Sequence, residues 1–311
     1  MRDADAIARR LSRDFEGDIV FVRSNVVPHR NCRLPPRHSG GPEIHLVDET
    51  RQKGGSFKYR GAVLGVRNNR RGVVAFGSGN FPIAVGLAAA SLNVPALVVM
   101  PDDAPQIKKR LAQEAGSETL FVRRAEFAQI VKKEALARGW DVLHPFASPE
   151  MLLGSSSLGW ALAEDIEALG AAADPVVVAC GGGGLAAGVV LGLRRKGAGN
   201  PVYAVEPEHY PSLTAAFAAG QPVEIEPTGR TNCDALRVTG VGGLAFDTMR
   251  TLGVCATTAT DDGAAAAQAL MAEDCAIHAE PSGALALAAL LENRIPGHNG
   301  RVWVVVCGGN A

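Results

Sequence analysis

Val176-Val177-Val178-Ala179, Cys180-Gly181-Gly182-Gly183-Gly184 and Leu185-Ala186-Ala187-Gly188-Val189-Val190-Leu191-Gly192-Leu193-Arg194-Arg195 read as three consecutive pieces: an apolar strand, a glycine loop, and a helix that turns basic at its end. The strand is apolar on both faces, the pattern of a parallel sheet covered on both sides by helices. Four glycines let backbone N–H groups converge on an anion, and the helix start behind them adds its partial positive charge. No Gly-Lys-Ser/Thr follows, which argues against a Walker-type nucleotide loop. Two ligand classes fit equally. Gly181, Gly183 and Ala186 satisfy a G-x-G-x-x-A dinucleotide pattern with Glu206 ending the next strand, and another phosphate group fits as well. A tight turn with no ligand is the third reading.

The same alternation runs outward in both directions. IHLV (44–47), VVAF (73–76), ALVVM (96–100), TLFV (119–122), VYAVEP (202–207) and VWVVVC (302–307) read as strands. Helical patterns lie between them, among them 107–116, 125–139, 158–170, 264–276 and 282–294. Alternating strands and helices predict an α/β protein with open parallel sheets and helices on both faces. Two segments resist this reading. An amphipathic stretch spans 4–14, and residues 21–42, rich in Pro, Arg and Gly, read as an irregular connection.

Composition narrows the function. The 311 residues are 47% hydrophobic and 20% charged, an ordinary globular balance. Lys and Arg number 31 against 32 Asp and Glu, so no global field exists to hold nucleic acid or an acidic membrane. Residues 73–101 and 175–193 carry no charge, but Pro82, Asn93 and Pro95 interrupt the first and the glycine run the second, so neither reads as a bilayer span. The six cysteines are scattered singly, without CxxC, and the N-terminus lacks an apolar signal core. Reduced thiols in a cytoplasm are expected.

Three further turns could carry chemistry. In Gly54-Gly55-Ser56-Phe57-Lys58, a lysine stands at a helix start, where a cation is disfavoured and its pKa is pushed down, as an imine-forming amine requires. A solvated surface lysine is the plainer alternative. Gly77-Ser78-Gly79-Asn80-Phe81 offers a hydroxyl, an amide and backbone donors at another helix start, enough for a carboxylate, or for simple capping by Ser78 or Asn80. Pro82 suits a first helical position there. Cys307, in Cys307-Gly308-Gly309-Asn310, reads by itself as a buried small hydrophobe.

Taken in order, SFKYRGA (56–62), SGN (78–80), CGGGGL (180–185), AVEP (204–207), AEPSGA (279–284) and VVVCGGN (304–310) resemble the fold-type II pyridoxal-phosphate enzymes, and within them the serine/threonine dehydratase and serine racemase group. The resemblance runs from about Leu46 onward and displaces the dinucleotide reading. It implies a tryptophan synthase β-like fold: a large cofactor domain from 1–70 and 149–311, and a small substrate-loop domain at 71–148. It also implies that Lys58 holds pyridoxal phosphate as an imine and moves the Cα proton. Gly181, Gly182, Gly183, Gly184 and Leu185 would bind the phosphate, Asn80 the ring hydroxyl, and Phe57 would lie against the ring. Glu280 would stand near the cofactor and Cys307 at the pyridine nitrogen, where a thiol leaves the ring unprotonated. Ser56, Ser78, Gly79, Asn80 and Phe81 would receive the substrate, with Ser78 also matching the racemases' opposite-face acid/base.

The implied function is β-elimination from L-serine, L-threonine or a related β-hydroxy amino acid, with a small amino acid as the only ligand partner and a homodimer by analogy. Phe81 and Gly77 depart from the group's SSGNH. Tyr210 and Ser212 depart from the racemases' metal site near Glu206, so no metal is expected. β-Replacement and racemisation are the rival outcomes on the same cofactor, followed by a cofactor-binding protein without catalysis and, last, a nicotinamide dehydrogenase.

Overall fold

The computed structural model describes residues 2–35, 42–170, 173–296 and 300–310. The chain begins with α1 (Arg2–Leu11), α2 (Phe15–Asn25), β1 (Arg30–Leu34), β2 (Glu43–Asp48) and α3 (Lys58–Asn68). It continues through β3 (Val73–Phe76), α4 (Asn80–Leu92), β4 (Ala96–Pro101), α5 (Gln106–Glu114), β5 (Glu118–Val122), α6 (Phe127–Arg138) and β6 (Asp141–Leu143). Then come α7 (Pro149–Ala168), β7 (Val176–Ala179), α8 (Gly184–Arg195), β8 (Val202–Pro207), α9 (Ser212–Ala219) and α10 (Gly243–Thr251). The last elements are β9 (Val254–Ala259), α11 (Asp261–Cys275), α12 (Pro281–Leu291) and β10 (Arg301–Val306).

Ten strands form two sheets among the described residues. The larger has the order β1-β2-β10-β7-β8-β9, and the smaller β5-β4-β3-β6. Every pairing is parallel except β1 with β2. The apolar strands are buried as two-sided strands must be: β7 and β4 are buried along their whole lengths, and β10 at every residue after Arg301. β1 is largely exposed and runs in an antiparallel register that sets Arg30 opposite Asp48.

The structure corrects the reading of residues 21–42 as an irregular connection. Its described part holds the end of α2 and the strand β1. Pro28 and Pro35 flank β1, and Arg30 and Arg33 lie within it, a composition an edge strand tolerates. β9, α9 and α10 are likewise elements that composition did not announce.

The expectation of six reduced thiols is also corrected. Cys32 on β1 and Cys275, the last residue of α11, form a disulfide across 243 residues of sequence. Such a pair leaves no spacing signature, because only the packing of α11 against β1 brings the two together. Denatured, unreduced protein should therefore titrate four thiols, those of Cys180, Cys233, Cys255 and Cys307, and six after reduction. Six before reduction would show that the two sulfurs are not bonded.

Glycines set the positions of three helices. Gly61 on α3 lies so close to α7 that a Cβ there would stand 2.7 Å from the Met151 Cα. A Cβ on Gly154 would collide with the Arg60 carbonyl, and one on Gly159 with that of Val189 on α8. From the other side, Gly188 and Gly192 of α8 abut the α7 backbone at Leu152, Ser155 and Ser156. Backbone therefore packs on backbone from α3 through α7 to α8. A buried ion pair adds a second fastening: Arg60 donates two 2.7 Å bonds to Glu49, just after β2, and a 3.0 Å bond to Ser157 on α7.

Candidate active site

α3 and α8 both begin at one cavity of about 210 Å³, between the two sheets. Gly54 and Gly55 (φ +73° and +70°) make the tight turn that delivers Lys58 to the first position of α3. The Lys58 ammonium donates to the Pro145 carbonyl at 3.1 Å and lies 4.8 Å from the centre of the Phe57 ring. Enclosure by protein lowers its pKa to about 8, against the pull of Cys307 and Glu280 in the other direction. At the opposite wall, Gly183 (φ +88°) precedes α8, whose start has no side-chain cap, so its first N–H groups face the cavity without an internal partner. A Cβ on Gly182 would stand 2.2 Å from the Phe146 ring, so a larger residue there would have to displace that ring.

The third wall comes from the smaller sheet. Ser78, Gly79, Asn80 and Phe81 line the cavity at the start of α4. Neither Ser78 nor Asn80 caps that helix with its side chain. Instead Asn80 donates to Glu280 Oε1 at 2.7 Å, and its own oxygen accepts from Asn310 at 3.1 Å. α4 begins at Asn80, so Pro82 is its third residue rather than its first, still among the helix donors that lack an intrahelical acceptor.

Phe57, Lys58, Ser78, Gly79, Asn80, Phe81, Gly181, Gly182, Gly183, Gly184, Leu185, Glu280 and Cys307 thus all line one cavity. Ser56 does not. It bridges to Gly308 behind the wall, where its buried hydroxyl has no hydrogen-bond partner. Cys307 donates to the Ser282 carbonyl at 3.6 Å, and burial pushes its thiol up to about 12, which keeps it neutral.

Lys108, Asp234 and Arg237 are site residues that the sequence did not single out. Lys108 of α5 is buried and bridges Asp234 (2.8 Å) and Glu280 (3.2 Å). Those carboxylates outweigh its burial and hold its pKa above the ordinary lysine value. A buried lysine inside the KKR run of α5 looks like a solvated face in sequence. Glu206 lies elsewhere: its oxygens accept from the backbone of Leu213 and Thr214 and from the Thr214 and Ser212 hydroxyls at the start of α9. Burial raises its pKa. No group of three or more potential metal ligands occurs among the described residues, nor does any helix long and apolar enough to cross a membrane.

Known proteins share this fold and part of this sequence. Residues 27–308 match the family model described as pyridoxal-phosphate dependent enzyme. The chain belongs to this family. Among the curated members of the pyridoxal-phosphate dependent enzymes, the β-hydroxyaspartate dehydratase of Paracoccus denitrificans is 30% identical over 309 residues, covering 94% of this chain and 95% of that one. The L-threonine ammonia-lyase of Thermotoga maritima is 31% identical over 280 residues, covering 87% and 68%. The crystal structure of the threonine deaminase of T.th. superposes with a TM-score of 0.88 at 29% identity, covering 96% of this chain and 98% of the other. The fold is that of the fold-type II enzymes, with ammonia-lyases and dehydratases prominent among the relatives and serine racemases alongside them.

A pH dependence follows from the Lys58 environment. Only the neutral amine attacks a carbonyl, so the apoprotein should capture pyridoxal phosphate at a rate that rises about tenfold per pH unit below about 8, then levels off. An ordinary lysine would keep rising to 10.5. By linkage, the unfolded chain binds more protons at this residue between about 8 and 10.5, so its contribution to stability increases with pH across that window. Stopped-flow absorbance of the bound cofactor checks the first statement.

Proposed function

We propose that the protein is an ammonia-lyase that removes water from a small β-hydroxy amino acid, which ends as a 2-oxo acid and ammonia. The observation that carries this reading is the meeting, in one cavity, of an amine of lowered pKa, a glycine-rich helix start and a second donor-rich helix start. The residues present suit pyridoxal phosphate: an uncapped α8 N-terminus for the phosphate, the Lys58 amine for the carbonyl, and a neutral thiol at Cys307. The cofactor supplies the carbonyl that takes the substrate amine and the ring that draws electron density from Cα.

The chain's own residues divide the remaining work. Gly181 to Gly184 and Leu185 would hold the phosphate by backbone donation, with Phe57 as the side chain beside the ring. Asn80, set by Glu280 and Asn310, presents its amide to the ring hydroxyl. Cys307, staying protonated, offers no carboxylate to charge the ring nitrogen, which favours elimination over transamination. Ser78, Gly79, Asn80 and Phe81 receive the α-carboxylate, with Ser56 left behind the wall. Lys58, an amine of lowered pKa at this cavity, would be the base for the Cα proton.

Residues 1–70 with 149–311 act as the cofactor domain, and 71–148 as the substrate-loop domain. The split of the strands between the two sheets supports this division. By analogy with the relatives, the enzyme is placed in the cytoplasm as a homodimer without nucleic-acid or membrane partners. The test is 2-oxo acid release by the holoenzyme across a panel of β-hydroxy amino acids. Turnover with at least one member is expected. Consumption of O-acetylserine plus a nucleophile without oxo acid would favour β-replacement instead.

A further inference from the structure

Arg237 lines the same cavity on a wall that none of the roles above uses. Its guanidinium is fixed from behind: Nε and Nη2 donate to the Thr231 carbonyl at 3.0 and 2.6 Å. Thr231 is itself buried and tied by its hydroxyl to Asp261 at 2.6 Å. No carboxylate among the described residues pairs with Arg237. The cavity's two acids, Asp234 and Glu280, are instead both held by Lys108. The site therefore contains a positioned cation with open donors, facing a space bounded by the donor-rich start of α4 and by Lys58. Arg237 is exposed at the rim of the cavity, so the donors not used by Thr231 face water that an incoming anion can displace, and the side-chain entropy of fixing the guanidinium is already spent.

We infer that Arg237 selects substrates whose β-carbon carries a second carboxylate, so that the natural substrate is a 3-hydroxy amino dicarboxylic acid rather than serine or threonine. This rests on the elimination reading and adds the side-chain class to it. The α-carboxylate goes to the start of α4, the amine to the cofactor at Lys58, and the distal carboxylate to the free edge of the Arg237 guanidinium. Arg237 acts on binding and not on the proton transfers, so its removal should appear mainly in KM.

The experiment compares L-threo-3-hydroxyaspartate, L-threonine and L-serine with the holoenzyme, its Arg237→Ala variant and its Arg237→Lys variant. The wild type should favour the dicarboxylate in kcat/KM. Arg237→Ala should lower that value roughly 10- to 100-fold, the worth of one charge-assisted contact, while changing the value for L-serine by less than about threefold. Arg237→Lys should recover part of the loss. Equal losses for all three substrates, or a wild type that prefers threonine, would overturn the assignment. If no substrate gives oxo acid, the elimination reading fails separately, and binding decides Arg237. L-aspartate and L-alanine are then titrated against the cofactor's visible spectrum. Weakened aspartate binding in Arg237→Ala, with alanine unchanged, upholds the role, and no difference ends it.

Discussion

Lys58→Ala protein is expected to fold, to lose turnover by at least about 10⁴-fold, and to release its cofactor on gel filtration. The size of the effect follows from the absence of a substitute. The other amine at this site, Lys108, is clamped between Asp234 and Glu280 at 2.8 and 3.2 Å and is held protonated. Lys58 has a single carbonyl acceptor and a pKa lowered to about 8. Only one of the two can act as nucleophile and base near neutral pH. Folding should survive, because alanine suits a helix start and the loss frees one carbonyl at the edge of a solvated cavity. Borohydride reduction followed by intact mass provides the check: the wild type retains a covalent cofactor and the variant does not. Retained turnover in the variant would sink the enzyme assignment.

Gly159→Val should cost enough stability to leave little folded enzyme. A Cβ at this position collides with the Val189 carbonyl on the next helix, and that backbone atom cannot swing aside as a side-chain tip can. Overpacking alone costs about 1–3 kcal/mol and more where the obstacle is backbone. Alanine at the same site is expected to be milder, since its gain in helix propensity of about 1 kcal/mol offsets part of the collision. A thermal melt ranks the three proteins as wild type, then alanine, then valine. In whatever valine protein remains folded, cofactor affinity should fall as well, because α8 carries the glycine loop at its start. A valine variant as stable as the wild type would show that the α7–α8 contact is looser than the structure has it.

The parts of this architecture that were legible in sequence are those where local pattern and packing agree. β7, β10 and β4 are apolar because both their faces are covered, and the glycine loop after β7 announces itself through four consecutive residues without side chains. Lys58, Ser78 and Asn80 were legible because each sits in a turn beside a helix start. The residues that escaped notice are placed by distant partners. Lys108 reads as one more surface lysine until α5 brings it to Asp234 and Glu280, which lie 126 and 172 positions further along. Arg237 follows an ordinary Asp-Ala-Leu turn, and its orientation depends on the Thr231 carbonyl. The Cys32–Cys275 bond belongs to the same class, since it depends on α11 arriving beside β1.

The groups meant to act together are carried by different sheets. Lys58 begins a helix that the α7 backbone and the Glu49 pair fasten to the larger sheet, whereas Ser78 and Asn80 sit beyond β3 in the smaller one. A rocking of one sheet against the other would therefore register at the cavity as a change in the gap between proton acceptor and carboxylate cradle. The substrate spans that gap through its Cα, so it would work as the pin of a hinge: seating it would bring the base to bear, and leaving would slacken the assembly for the next turn.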